Sequence, residues 1–120
     1  LYQNMIPCTD YALHYISRYP KTERELRLQL MQKGYFSEDI NKTVEFLKEK
    51  NFLNDRMFVE SYVRSELVNK GKPTIAIIQK LQEKGADKHL IMEIIKEYEE
   101  DINIGTKEKI KKEIASYKKK

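Results

Sequence analysis

The sequence predicts an all-α protein built from tandem three-helix repeats that form an elongated, curved array. Helix-starting and helix-ending residues alternate at regular intervals along the 120 residues. Apolar residues recur at spacings of three and four, and no segment combines strict apolar–polar alternation with β-branched enrichment. The whole pattern also returns after 51 positions. Together these three observations predict repeated helices and no strands.

The first half of the chain predicts three helices. The first runs from about Thr9 to Arg18, because Pro20 cannot continue it. The second opens at Thr22 with a capping box, in which the Thr hydroxyl and a Glu carboxylate three residues later satisfy each other's free backbone N–H groups. It stops at Gly34, where a left-handed residue costs little. Ser37 is predicted to cap the third helix.

The second half repeats these signals. Asn54 or Asp55 is predicted to cap a fourth helix. The segment 71–73, Gly-Lys-Pro, breaks the chain before a fifth helix, which ends at Gly85. Asp87 is predicted to cap a sixth helix.

The end of the chain predicts a seventh helix. Asn103-Ile104-Gly105 is expected to end the sixth helix, and Thr106 can open another. Residues 105–120 carry seven Lys against two Glu, whereas the rest of the chain is close to neutral. This asymmetry indicates a local electrostatic contact rather than a uniformly cationic surface.

An internal repeat organises these helices into units of about 50 residues, a size at which repeats stack on one another. The predicted units are 9–53 (three-helix repeat 1), 54–104 (three-helix repeat 2) and 105–120 (first helix of a truncated repeat 3). A shift of 51 positions aligns Tyr11 with Tyr62, Leu26 with Ile77, Leu30 with Leu81, Lys33-Gly34 with Lys84-Gly85, Ile40 with Ile91, Val44 with Ile95 and Leu47 with Tyr98.

Several function classes find no support in the sequence. The longest apolar run, 75–78, has four residues, whereas a membrane-spanning helix needs about 20. Cys8 is the only cysteine, so a reducing cytoplasm is the simplest setting. His14 and His89 lack partners at metal-ligand spacing, and no phosphate loop or nucleophile elbow occurs. We therefore predict no catalytic residues, no metal and no cofactor, and hence no enzyme.

Basic residues concentrate around the second helix of each unit. Residues 18–33 carry five cations against two carboxylates, and residues 64–88 carry six against three. Such a stripe suits the phosphates of a nucleic acid or an acidic groove of a protein filament. The competing interpretation is a surface decorated for solubility. The candidate contacts are Arg18, Lys21, Arg24, Arg27, Arg64, Lys70 and Lys72.

Two apolar features leave alternatives open. Tyr11, Tyr15 and Tyr19 recur every four residues and form one helix stripe. It suits either base stacking or half-buried packing, and packing is favoured since Tyr62 repeats Tyr11. Leu28 points away from the face of the second helix that carries its other leucines. It is expected to pack on the neighbouring unit, with contact to a partner as the alternative.

The order of these motifs resembles one family. Residues 15–27, Tyr-Ile-Ser-Arg-Tyr-Pro-Lys-Thr-Glu-Arg-Glu-Leu-Arg, look like the first-repeat signature of the RecX family of bacterial recombination regulators. Lys33-Gly34-Tyr35 and residues 52–55, Phe-Leu-Asn-Asp, continue it. Further matches in the same order are Ile40, Leu47, Phe58, Tyr62-Val63-Arg64, Gly71, Ile75, Leu81 and Lys84-Gly85.

The resemblance implies tandem three-helix repeats without catalytic activity. Members bind the RecA–DNA filament along its helical groove across neighbouring subunits, and they inhibit strand exchange and ATP hydrolysis. By this resemblance the partner is a RecA filament on DNA, and we expect a cytoplasmic monomer with no membrane contact. Direct DNA contact through the basic stripe stays open. The alternative functions are an autonomous DNA-binding helical module and a helical scaffold for another protein.

Overall fold

The computed structural model describes the backbone of residues 6–118 and the side chains of residues 6–103. The described backbone contains α-helices, one π-helical segment and no strand, which confirms the all-α prediction. The helices are α1 (Cys8–Arg18), α2 (Glu23–Gln32), α3 (Ser37–Glu49), α4 (Asp55–Val63), the π-helical segment (Arg64–Asn69), α5 (Thr74–Glu83) and α6 (Lys88–Lys118).

Polar caps start three of the helices as the sequence predicts. The capping box at Thr22 is complete, with both reciprocal bonds present. The Asn54 side chain accepts from the Met57 N–H at 3.1 Å, and Asp87 accepts from the Leu90 N–H at 3.1 Å. The prediction for Ser37 is wrong. It is the first residue of α3, and the N-cap residue before it makes no side-chain cap bond.

The π-helical segment continues directly from α4 and was not predicted from the sequence. Its wider turn is visible where the Lys70 N–H bonds to the Ser65 carbonyl oxygen, five residues back, at 3.2 Å. The helix then ends at Gly71, whose φ of 67° lies in the left-handed region. The segment thus occupies the position that the sequence pattern assigns to the end of the fourth helix.

Each repeat buries its own apolar core, and the two cores correspond at the predicted spacing of 51 residues. Three helices contribute to each core, since no single amphipathic helix can cover its own apolar face. Matched positions that are buried in both cores are Cys8 and Val59, Ala12 and Val63, Leu26 and Ile77, Leu30 and Leu81, Ile40 and Ile91, and Val44 and Ile95.

The same capping structure ends the second helix of each repeat. Gly34 has a φ of 94° and Gly85 a φ of 91°. In both turns the glycine N–H bonds three residues back at 3.0 Å, and the next N–H bonds five residues back, at 3.2 Å for Tyr35 and 3.1 Å for Ala86. This double bond pattern is a Schellman motif, which places a glycine in the left-handed region.

Helix α6 runs without interruption through the segment where a break was expected. Asn51, with a φ of 61°, ends α3 in the first repeat, and the matched position in the second repeat is Ile102. A β-branched residue strongly resists positive φ, so this stop signal is missing. Asn103 and Gly105 lower helix propensity by about 1 kcal/mol or less each, which does not terminate a helix. The predicted break is therefore wrong.

The predicted third repeat, 105–120, stays a prediction because its side chains lie outside the described residues. The same applies to the Lys-rich surface assigned to this end.

The molecule is an elongated array, as predicted. Its extents are 78 × 23 × 21 Å, and its radius of gyration is 20.2 Å. A compact domain of this length has a radius of gyration of about 14 Å. In the described part of the chain, no helix is long and apolar enough to cross a membrane.

Candidate partner-binding surface

A polar joint connects the N-terminus of α2 in the first repeat with the end of α5 in the second; we define it as Thr22, Arg24, Glu25, Lys84 and Gly85. Thr22 is fully buried, and its hydroxyl donates to the carbonyl oxygen of Lys84. The Lys84 ammonium lies 3.6 Å from the Glu25 carboxylate. Since buried hydrogen bonds are directional, these contacts fix how the two repeats meet.

Tight packing completes the joint. The aliphatic stem of Arg24 lies over Gly85, so closely that a Cβ added to the glycine would stand 2.6 Å from the Cβ of Arg24. Gly85 therefore meets two demands, a left-handed backbone and a close approach by a neighbouring helix. At Gly34, its counterpart in the first repeat, such a Cβ would have no described atom within 4 Å.

A second polar contact between the repeats involves Asp55 at the start of α4. The Glu23 N–H donates to its Oδ1 at 2.9 Å, and burial raises the pKa of the Asp55 carboxyl. Burial also acts to raise the pKa of Glu23. Hydrogen bonds from Lys48 and Arg27 outweigh that effect and lower the pKa. A carboxylate at a helix N-terminus is further favoured by the helix dipole.

Three of the seven predicted basic contacts are tied to partners within the chain. The Arg27 guanidinium donates to Glu23 at 3.0 Å and to the Asn41 side chain at 2.7 Å. Lys70 and Lys72 both reach Glu66, at 3.1 and 2.8 Å. The two ammonium groups lower the pKa of the Glu66 carboxyl. Among the described residues, Lys70 and Lys72 are the only two of the seven predicted contacts that pair with the same carboxylate.

The other four basic residues have no carboxylate within 4 Å among the described side chains. Arg24 belongs to the joint through its stem. Arg18, at the end of α1, and Arg64, at the start of the π-helical segment, are exposed, and Lys21 is half-buried. Lys21 and Lys72 occupy matched positions in the two repeats, yet only Lys72 is paired. The repeated basic excess is therefore not a residue-by-residue repeat.

The tyrosine stripe serves mainly as packing. Tyr11 and Tyr15 stack with ring centroids 6.0 Å apart and pack against the first core, as the favoured interpretation predicts. Tyr19 continues the ladder at 5.8 Å but is 56% exposed. The favoured interpretation of Leu28 is wrong. It stays 48% exposed, so the neighbouring repeat does not bury it.

A groove of about 450 Å³ lies beside the joint and was not predicted from the sequence. Ile16 and Pro20 line it from the first repeat, and Phe58 and Tyr62 line it from α4. Phe52 and Met57 also line it, although they are 59% and 54% exposed. The sequence signal that could have indicated this groove is the pair of apolar residues Phe52 and Met57 on either side of Asn54, the polar residue that caps α4.

The fold and this surface define a class: a tandem three-helix-repeat protein whose two separate cores meet at a polar joint. The family model described as "RecX, first three-helix domain" matches residues 8–47, and "RecX, second three-helix domain" matches residues 54–94. The chain belongs to the RecX family.

Curated relatives carry the same family name. "Regulatory protein RecX" of Clostridium perfringens strain 13 is 40% identical over 77 residues, which cover 62% of this chain and 36% of that protein. The Clostridium beijerinckii protein of the same name is 35% identical over 104 residues, covering 83% and 48%. The chain thus spans half or less of the length of these relatives.

A solved structure shares the fold. The crystal structure of RecX from Lactobacillus salivarius matches with a TM-score of 0.72 and 25% sequence identity. The match covers 76% of this chain and 59% of that one.

Proposed function

We propose that this chain is a negative regulator of RecA. It binds the RecA–DNA filament along its helical groove and inhibits strand exchange and ATP hydrolysis without catalysing a reaction. The observation that carries the proposal is the pair of RecX three-helix domains arranged in tandem. We further propose that it acts as a monomer in the cytoplasm.

The shape supports a polymeric partner. An array 78 Å long and little more than 20 Å wide presents a long edge, which can contact several neighbouring subunits at once. Regulation then follows from differential binding: a protein that binds one state of the filament groove shifts the filament toward that state. Occupying the groove also obstructs entry of a second DNA molecule.

The ion pairs divide the candidate contacts into two groups. Arg18, Lys21 and Arg64 have no described carboxylate partner and are available to an acidic surface or a phosphate. Arg27, Lys70 and Lys72 form ion pairs within the chain, so we interpret them first as residues that stabilise the fold. Exposed, unpaired cations at the rim of an interface mainly raise the association rate and its salt dependence.

The test reverses two unpaired charges. We expect Arg18→Glu with Arg64→Glu to raise the concentration needed for half-inhibition of RecA-dependent ATP hydrolysis by about tenfold or more. The matched control is Lys88→Glu with Lys96→Glu, which makes the same change of charge at two other exposed positions that have no carboxylate partner among the described side chains. Arg24 and Arg27 are unsuitable, because their substitution disturbs the joint and the Glu23 ion pair.

The outcome separates the possibilities. Circular dichroism shows whether each variant keeps its helical content. If the folded Arg18/Arg64 variant inhibits as well as wild type, these two residues are not contacts. If wild type itself leaves RecA unaffected, the proposed function is wrong for this chain.

A second candidate is an autonomous DNA-binding module. It is favoured by the exposed ring of Tyr19, which follows Arg18, a cation with no carboxylate partner among the described side chains. It predicts saturable binding to a labelled duplex without RecA, with an affinity that falls steeply as salt rises. Titration at two salt concentrations tests it, and flat curves at micromolar protein reject it.

A further inference from the structure

The groove beside the joint presents apolar side chains that the fold does not cover. Phe52 and Met57 remain more than half exposed at its edge, while Phe58 and Tyr62 stack on its wall with centroids 6.3 Å apart. Clustered exposed apolar residues rimmed by polar ones are typical of interaction sites. A volume of about 450 Å³ is enough to receive a few side chains.

The edge of the groove is held in place before any partner arrives. Asn51 and Asn54 are joined by a side-chain hydrogen bond of 2.7 Å, and Asn54 also caps α4. The Asn51 amide then donates to the Met57 sulfur at 3.7 Å. Because these bonds hold the loop that carries Phe52, little conformational freedom is left to lose on binding.

Two charged residues are among the described lining of the groove, Lys21 and Glu66, and of these Glu66 alone has an ion-pair partner among the described side chains. Lys21 lines it without a described carboxylate partner. Glu66 also lines it, but its charge is more than matched by Lys70 and Lys72, whose ammonium groups lie 3.1 and 2.8 Å away. An occupant that carries a carboxylate next to an apolar side chain complements both features.

We propose that the groove docks a segment of the partner protein in which an apolar side chain lies within two positions of an Asp or Glu. The apolar side chain enters between the Ile16–Pro20 side and the α4 side, and the carboxylate pairs with Lys21. A nucleic acid strand fits less well, because Lys21 is the one cationic side chain among the described lining residues, whereas a groove that follows a nucleic acid backbone carries a row of cations. This inference rests on the proposed function, since it takes the filament protein as the partner.

The test combines binding with crosslinking on RecA filaments assembled on single-stranded DNA. We expect Phe52→Ser to weaken co-sedimentation with the filament about tenfold, as truncation of an interface anchor typically does. Lys21→Glu should weaken it as well. The matched controls are Ile75→Ser, an apolar residue 77% exposed on α5, and Lys88→Glu. The free variants are checked for unchanged helical content.

Crosslinking identifies the occupant. With p-benzoylphenylalanine in place of Phe52, irradiation of the filament complex should join this chain to the filament protein. The crosslinked peptide should hold an apolar residue close to an Asp or Glu. A crosslink to DNA, to a second copy of this chain or to a basic segment would overturn the proposal.

The two proposals fail differently. Wild-type protein that does not sediment with filaments overturns the proposed function and this inference with it. Wild-type protein that sediments while Phe52→Ser and Lys21→Glu sediment equally well overturns the groove alone.

Discussion

Substitution of the two matched glycines offers a direct measurement of how tightly the repeats are joined. Gly34 and Gly85 end equivalent helices with φ values of 94° and 91° and with the same hydrogen bonds. Ala at either position therefore meets the same backbone penalty, about 1–2 kcal/mol for a left-handed residue. Of the two, Gly85 is the position where the new methyl group also meets a described neighbour.

The structure gives the size of the additional effect. A Cβ on Gly85 stands 2.6 Å from the Cβ and 3.0 Å from the Cγ of Arg24, and closer still to its Cδ. The side chain can swing at Cδ, but its Cβ is fixed to α2, so the joint itself must open. Overpacking of this kind typically costs a further 1–3 kcal/mol or so. We expect Gly85→Ala to be the more destabilising substitution by about 2 kcal/mol.

Urea unfolding followed by circular dichroism measures this difference. With a slope of about 1–3 kcal/mol per molar urea, an extra 2 kcal/mol lowers the midpoint by about 0.7–2 M. Adding Arg24→Ala to Gly85→Ala should recover part of the lost stability, because it removes the Cγ and Cδ that meet the new methyl group but keeps the Cβ. Adding it to Gly34→Ala should recover none, because Arg24 does not lie near that glycine. Equal midpoints for the two glycine variants would refute the tight joint.

Three further predictions concern polar groups. Thr22→Ala should lower the free energy of unfolding by about 2 kcal/mol, because it removes both a helix cap and a buried hydrogen bond. Ser37→Ala is the control in the same urea experiment. Because it removes no cap bond, it should change the free energy of unfolding by less than about 0.5 kcal/mol. Because the pKa of Glu66 is lowered in the folded protein, its contribution to stability is present above the ordinary carboxyl pKa and is lost as pH falls. The urea midpoint of Glu66→Gln should therefore fall less than that of wild type as the pH is lowered. The same fall in both proteins would contradict the ion pairs of Glu66. The pKa of Asp55 is raised, so the folded state binds its proton more tightly and the stability falls as pH rises through that pKa. Asp55→Asn should remove this fall, while its amide oxygen can still accept from the Glu23 N–H. If the fall in stability persists in Asp55→Asn, another group causes it.

Local signals in the sequence predict most of the fold. The box at Thr22, the glycine stops at Gly34 and Gly85 and the cap at Asp87 are short-range features, so residue types a few positions apart suffice to recognise them. The two cores follow from helical spacing and from the repeat of 51 positions. The exceptions are also local. A Ser at the start of a helix resembles a cap whether or not its side chain makes a cap bond, and a π-helical turn has no characteristic composition.

The candidate binding surface was predicted less completely because it depends on contacts between the repeats. A sequence shows that Lys21 and Lys72 are matched, but not that Glu66 reaches one and leaves the other unpaired. The groove forms from the end of α1 and from α4, about 40 residues apart along the chain. No spacing rule along one helix connects such residues, so Phe52 was noted only as part of the family signature and Met57 was not singled out.

Under the proposed function, the separation of the two cores gives the joint a role in binding as well as in stability. Because the buried clusters are distinct, core packing stabilises each repeat but does not set the angle between them. That angle depends on Thr22, Arg24, Gly85 and the Asp55 contact, which also position the two sides of the groove. An elongated binder that touches several subunits is sensitive to a small change in this angle, since the displacement grows with distance from the joint. A Gly85→Ala protein that stays folded should therefore bind filaments more weakly than Gly34→Ala, although neither glycine needs to contact the partner.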